Sequence, residues 1–313
     1  MIEAYATQAA LSTFQPLSLR LQRGCSALIL LGVNVSIPDG WANSMDVSVT
    51  NKSRLSQMAL KLGGKTRYRA SLLAAWAELQ SLYYLNLIAY YFRNISLTQP
   101  KSFRESFRMI RMVYRVREYT AVFVPRLVAL YKLSEEVNRL SLPGDFVECG
   151  VYNGGSAAIM ASFCNQDAPT RNVWLFDSFE GLPKPTEVDG HEAPAYEGWC
   201  HGDLAKVKRV FQIMGIPQDR VRVMKGWFQD TFPTVEVPRI AILHIDADWY
   251  ESVKLCLEKF YDCVQPGGYI VLDDYGDWLG CKIATDEFIK ARALDVRLVQ
   301  VDYTGFYFQK PKI

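Results

Sequence analysis

From position 145 onward, short apolar runs alternate with stretches that repeat every three to four residues. Runs at 145–148, 173–176, 221–224, 240–245 and 269–272 have the length of buried strands, and each is closed by polar or small residues. Helical patterns fall between them at 156–163, 204–214 and 252–261, with a further helix through 287–292 and strand patterns at 296–301 and 305–309. This rhythm predicts a doubly wound α/β fold with a mostly parallel sheet. The last two strands are separated only by Asp302-Tyr303-Thr304, too short for a crossover helix, so they are expected to form an antiparallel hairpin at one edge.

The front of the chain has a different texture. Pro16, Pro38, Gly40 and Gly63-Gly64 interrupt residues 1–65, where short helices and loops are expected. A helix is predicted over 69–92 from Leu72, Leu73, Trp76, Leu79, Leu82, Tyr83 and Leu87. A second runs over 102–118, with Lys101, Arg104, Arg108, Arg111 and Arg115 on one face and Phe103, Phe107, Ile110 and Tyr114 on another. A third covers 125–140 and stops at Pro143-Gly144. The division expected is a mainly helical extension over 1–118 and an α/β domain over 119–313.

At 313 residues and 50% hydrophobic content the chain can build a large core. Net charge is +2, but residues 1–145 carry 18 Lys and Arg against 9 Asp and Glu, a net +9, and the remainder carries −7. The basic helix suits an anionic partner or lipid as well as an ordinary solvated face. Seven cysteines show no C-x-x-C pair, so reduced thiols and a cytoplasmic protein are expected, with Cys149, Cys256 and Cys263 in the core. No signal peptide is evident, and the longest apolar span, 71–92, contains Glu78, Gln80 and Asn86, which reads as a buried helix and not a transmembrane segment.

Chemistry concentrates at strand ends. Asp246 and Asp248 follow the run at 240–245, and Asp273 and Asp274 follow 269–272. Parallel sheets bind ligands beyond the carboxyl ends of their strands, and four carboxylates at one edge call for a hard dication, Mg²⁺ foremost. On a strand, residues i and i+2 share a face, so Asp246 and Asp248 should converge. The first strand runs into Glu148-Cys149-Gly150-Val151-Tyr152-Asn153-Gly154-Gly155-Ser156, a glycine turn without the G-x-G-x-x-G of dinucleotide folds. Glu148 there favours a ligand with a cationic end, such as S-adenosylmethionine. Asp177 is placed to accept ribose hydroxyls, and Trp227, in Lys225-Gly226-Trp227-Phe228, to flank an adenine.

The segments ECGVYNGGS, FDSFEGLP, KGWFQDTFP, HIDADWYES, PGGYIVLDDY and VDYTGFYF, spread over 119–310, resemble the macrocin O-methyltransferase family: metal-dependent enzymes that methylate sugar hydroxyls of natural products with S-adenosylmethionine. The resemblance implies a Rossmann-like class I methyltransferase sheet. It implies cofactor contacts from Glu148, Gly150, Tyr152, Ser156, Asp177, Ser178, Trp227 and Asp246, with Asp246, Asp273 and Asp274 holding Mg²⁺. Asp248 is then the candidate general base beside Asp246. Family members usually have a much shorter segment before the first strand, so residues 1–100 lie outside the resemblance, and they are expected to cover the pocket, to form the interface of a homo-oligomer, or both.

The expected reaction is methyl transfer to a hydroxyl of a small-molecule acceptor, with no nucleic acid involved. A phenol or catechol acceptor is the near variant. A nicotinamide oxidoreductase and an interaction protein using the basic helix 101–117 are the readings from other classes. His244 is read as a core residue. Residues 179–203 lack periodicity and read as a lid, from which His191, His201 or Glu192 could enter the site as an alternative base.

Overall fold

The computed structural model of the protein describes residues 103–164 and 170–312. The helix expected over 69–92 and the irregular front lie outside them. Two helices come first, α1 (Phe103–Val116) and α2 (Val124–Arg139), followed by β1 (Asp145–Cys149), α3 (Gly155–Ala161), β2 (Val173–Asp177), α4 (Leu204–Met214) and β3 (Val221–Lys225). A single turn of helix, α5 (Phe228–Thr231), leads to β4 (Ile240–Ile245), α6 (Tyr250–Phe260), β5 (Val264–Leu272), α7 (Leu279–Ala291), β6 (Val299–Gln300) and β7 (Phe306–Gln309).

The strands form one sheet in the order β3-β2-β1-β4-β5-β7-β6. The first five are parallel, and β7 runs antiparallel to both β5 and β6. The predicted hairpin is present, with its second strand turned inward, which leaves the two-residue β6 as the edge. Strand order reverses between β1 and β4, and a crevice opens at such a reversal because the crossover helices leave in opposite directions.

Strand β4 is buried along its whole length, as strands covered on both faces must be. Phe176, Phe232 and Phe260 pack on one another with ring centroids 4.9–5.2 Å apart. Where a break is expected at Pro143-Gly144, the fully buried Arg171 gathers the end of α2: it donates to Asn138 Oδ1 at 2.8 Å, to the Leu142 carbonyl at 2.6 Å and to the Gly144 carbonyl.

Three expectations change in detail. The Pro266-Gly267-Gly268 stretch does not precede the fifth strand but lies inside it: β5 starts at Val264, and the extra residues are taken up by an irregularity opposite Ile240–Ile242, with Gly267 at φ +84°. Strand β6 is shorter than the apolar run at 296–301. In α1 the buried stripe is Met109, Met112, Val113 and Val116, whereas Phe107 is 59% exposed. Both stripes have helical spacing, and packing chose the aliphatic one. Arg108 and Arg111 face solvent as the charge pattern predicts. No helix among the described residues is long and apolar enough to cross a membrane, and Cys149 and Cys256 are buried free thiols while Cys263 is half-buried.

Candidate active site

The registers of β1, β4 and β5 bring the acidic residues together. Ile245 pairs with Leu272, so the next residues, Asp246 and Asp273, leave the sheet side by side, and the Asp273 amide still donates to the Ile245 carbonyl at 2.9 Å. Asp248 joins them for a reason other than strand alternation. It lies past the end of β4 in the left-handed region, φ +54°, and its amide donates to Asp274 Oδ2 at 3.3 Å. Two sets of candidate ligand atoms, His244–Asp246–Asp273 and Asp246–Asp248–Asp274, each lie within 4.8 Å of one another, with Asp246 common to both.

Burial first, and crowding after it, governs their protonation. Burial and then the charges of Asp273, Asp274 and Asp248 push Asp246 well above the usual carboxylate range, and burial with Asp248 and Asp273 does the same to Asp274. Asp248 rises to about 7, through burial and Asp273, against a hydrogen bond from the Trp278 side chain. Asp273 Oδ1 is buried without a hydrogen-bond partner. Three carboxylates, Asp246, Asp248 and Asp274, with ligand atoms within 4.8 Å of one another and raised by burial and mutual charge, are the arrangement a hard dication satisfies, so the residues fit Mg²⁺.

One cation within reach was not anticipated. Arg126 of α2, 7% exposed, donates through Nη1 to Asp273 Oδ2 and through Nε to Asp302 Oδ2 at 3.2 Å. A lone Arg on a helix gives no sequence signal for such a role.

Glu148 is fully buried and does not line the cavity. Its Oε1 lies 2.8 Å from His244 Nδ1, on the residue directly opposite in the β1–β4 ladder. His244 takes up only Oε1, and Glu148 Oε2 is buried without a hydrogen-bond partner. His244 is buried, as a core reading requires, but it is also part of this polar chain: its Nε2 sits 3.6 Å from Asp273 Oδ1.

The other candidates meet at a cavity of about 470 Å³ lined by Gly150, Tyr152, Ser156, Asp177, Ser178 and Trp227 on one side and by Asp246, Asp248, Asp273 and Asp274 on the other. Asp177 organises the glycine turn. Its Oδ2 accepts from the Val151 and Tyr152 amides at 2.6 and 2.8 Å, and its Oδ1 from the Phe179 amide at 2.6 Å. Gly150, at φ +85°, must be glycine, since an added Cβ would strike the Asp246 carbonyl. The bend before α2 also supplies wall residues, Thr120, Ala121 and Val122, which pattern reading left as a boundary.

Residues 179–203 close over the acidic end. The segment folds on itself through Leu182 and Trp199, whose amide and carbonyl meet at 2.7 Å. It is pinned by Trp249 Nε1 donating to the Pro183 carbonyl and by buried Asp189, whose Oδ1 accepts from the Tyr250 amide at 2.6 Å. Tyr196, Trp199, Trp249 and Trp278 interlock above it. His191 and Glu192, with side chains 94% and 75% exposed, point away as an outward-facing pair, and His201 is exposed. None of the three reaches the site, because the segment is anchored by its aromatic and Asp189 contacts and turns its charged residues to solvent.

Comparison with known proteins agrees with this geometry. The chain is 31% identical over 221 residues, 68% of its length and 84% of the relative's, to the demethyldecarbamoylnovobiocin O-methyltransferase of Streptomyces niveus. It is 33% identical over 207 residues, 63% of its length and 80% of the relative's, to the mycinamicin III 3''-O-methyltransferase of Micromonospora griseorubida. The solved structure of the O-methyltransferase NovP superposes with a TM-score of 0.58 at 33% identity, covering 62% of this chain and 83% of that one. Residues 68–310 match the family model described as Macrocin-O-methyltransferase (TylF). On a class I methyltransferase sheet with these relatives, the chain belongs to the macrocin-O-methyltransferase family and is an O-methyltransferase.

Proposed function

We propose that the protein transfers the methyl group of S-adenosylmethionine to a sugar hydroxyl of a glycosylated natural product, with Mg²⁺ as the dication of the acidic cluster. The observation that carries this reading is the convergence of Asp246, Asp248, Asp273 and Asp274 on the cavity that the Gly150–Ser156 turn and Asp177 also line. The named activities of the relatives above support the acceptor class.

In this reading Gly150, Tyr152, Ser156, Asp177, Ser178 and Trp227 seat the donor, with Asp246 at the boundary between donor and ion. Asp246, Asp273 and Asp274 hold Mg²⁺, which, when bound, acidifies and orients the acceptor hydroxyl. Asp248 removes the hydroxyl proton. Without the ion, burial and the charge of Asp273 raise Asp248, and a bound dication would offset that charge and favour the ionised form a base needs. The 179–203 segment excludes water, and Trp249, held in place by Trp278, lines the acceptor side of the cavity.

The test is methyl transfer to a panel of glycosylated macrolides, aminocoumarins and simple catechols, with chelator and then added Mg²⁺. Turnover of a glycoside that chelator abolishes and Mg²⁺ restores is expected. Turnover of catechols alone would move the acceptor to phenols, and full activity in chelator would remove the ion.

A further inference from the structure

Asp273 is held from two directions, and its strongest partner arrives from far away in the chain. Arg126 Nη1 donates to Asp273 Oδ2 and, at 3.2 Å, to the Asp273 carbonyl. The guanidinium is itself held from behind by Asp302 in the β6–β7 turn, whose Oδ2 accepts from Arg126 Nε at 3.2 Å while its Oδ1 accepts from the Thr304 and Gly305 amides at 3.1 and 2.8 Å. Gly305 is required for this fit, because a Cβ there would run into the Arg126 side chain. What remains of Asp273 is Oδ1, buried, 3.6 Å from His244 Nε2 and in one ligand set with His244 and Asp246.

We propose that Arg126 is a positioning residue for the dication site, an inference that rests on the metal-dependent reading above. By taking one oxygen of Asp273 the guanidinium fixes the rotation of the carboxylate and leaves the other oxygen between His244 and Asp246, within 4.8 Å of a ligand atom of each. Asp302 is the strut that keeps the guanidinium in place. The hairpin therefore shapes a metal site it does not touch. Arginine is needed over lysine because its planar fork binds the Asp273 side chain and carbonyl while still reaching Asp302, whereas an ammonium is a point charge on a flexible stem. The opposite effect of Arg126, weakening the dication through its own charge, is the competing expectation, and the two differ in sign.

The experiment is calorimetric titration of Mg²⁺ into protein saturated with S-adenosylhomocysteine, for the wild type, Arg126→Lys and Asp302→Asn, with S-adenosylhomocysteine affinity measured separately. Loss of an outer partner of a metal-ligating carboxylate costs about 10–100-fold in metal affinity, and that loss is expected in both variants, with S-adenosylhomocysteine affinity within about threefold. Arg126→Lys keeps every charge of the site, so a loss there reports position and not charge count, and Asp302→Asn checks that the strut acts in the same direction. Mg²⁺ affinity unchanged or raised in the two variants overturns the proposal, as does a parallel loss of S-adenosylhomocysteine binding, which marks general misfolding. A wild type that takes up no Mg²⁺ overturns the reading of the preceding subsection, and this proposal with it, before any variant is made.

Discussion

His244 Nδ1 lies 2.8 Å from Glu148 Oε1, and neither side chain has any exposed surface. Burial alone would lower the imidazole, but hydrogen bonding and charge from Asp273 and Glu148 outweigh it and raise His244 to about 9. A base raised from 6.5 contributes stability that is complete below 6.5 and is lost as pH rises through about 9. His244→Leu should therefore cost about 3–5 kcal/mol at pH 7 by leaving Glu148 buried and unpaired, and adding Glu148→Leu should recover much of that loss. Urea unfolding of the two single variants and the double variant measures it. A double variant no more stable than His244→Leu would show that the pair is not coupled.

Metal-free protein should lose stability as pH rises through neutrality. Asp246, Asp248 and Asp274 have folded-state values raised above their unfolded ones, so their contribution is complete in acid and disappears as pH climbs through about 7, the value for Asp248. Mg²⁺ at about 100 times its dissociation constant should return about 2.7 kcal/mol at the alkaline end. Thermal melts between pH 5.5 and 8.5, with and without Mg²⁺, check both. A melting temperature that rises with pH in chelator would contradict the carboxylate crowding.

Asp248→Asn should lower kcat by about 10²–10⁴-fold, the range for losing a general base. Its amide hydrogen bond to Asp274 is made by the backbone and survives the change. S-adenosylhomocysteine binding should persist, so calorimetry beside single-turnover kinetics separates a lost base from a collapsed site.

Asp189→Ala should release the covering segment. It removes the acceptor of the Tyr250 amide and of the Thr186 amide and hydroxyl at 2.6–2.9 Å, all close to the α6 N-terminus. Faster proteolysis within 183–199 and a raised acceptor KM are expected, with donor affinity little changed. Unaltered proteolysis would mean that the aromatic interlock alone holds the segment.

Local pattern was sufficient to identify the alternating strands and helices, the glycine turn and the carboxylates at the ends of β4 and β5. Each is written into one short contiguous stretch, where periodicity and strand-end chemistry act directly. Local pattern could not choose between the two helical stripes of α1, since Phe107 and Met109 have equally good spacing and only the surface beneath them decides. Nor could it tell that Pro266-Gly267-Gly268 bends a strand without ending it.

Partners across the fold belonged to the tertiary structure alone. Arg126 meets Asp273 across 147 positions and Glu148 meets His244 across 96, because strand order places α2, β1, β4 and β5 together and no nearby residue encodes that order. Which acids a chain brings to one edge is a property of its segments. Which cations and histidines hold those acids in place follows from how the segments pack.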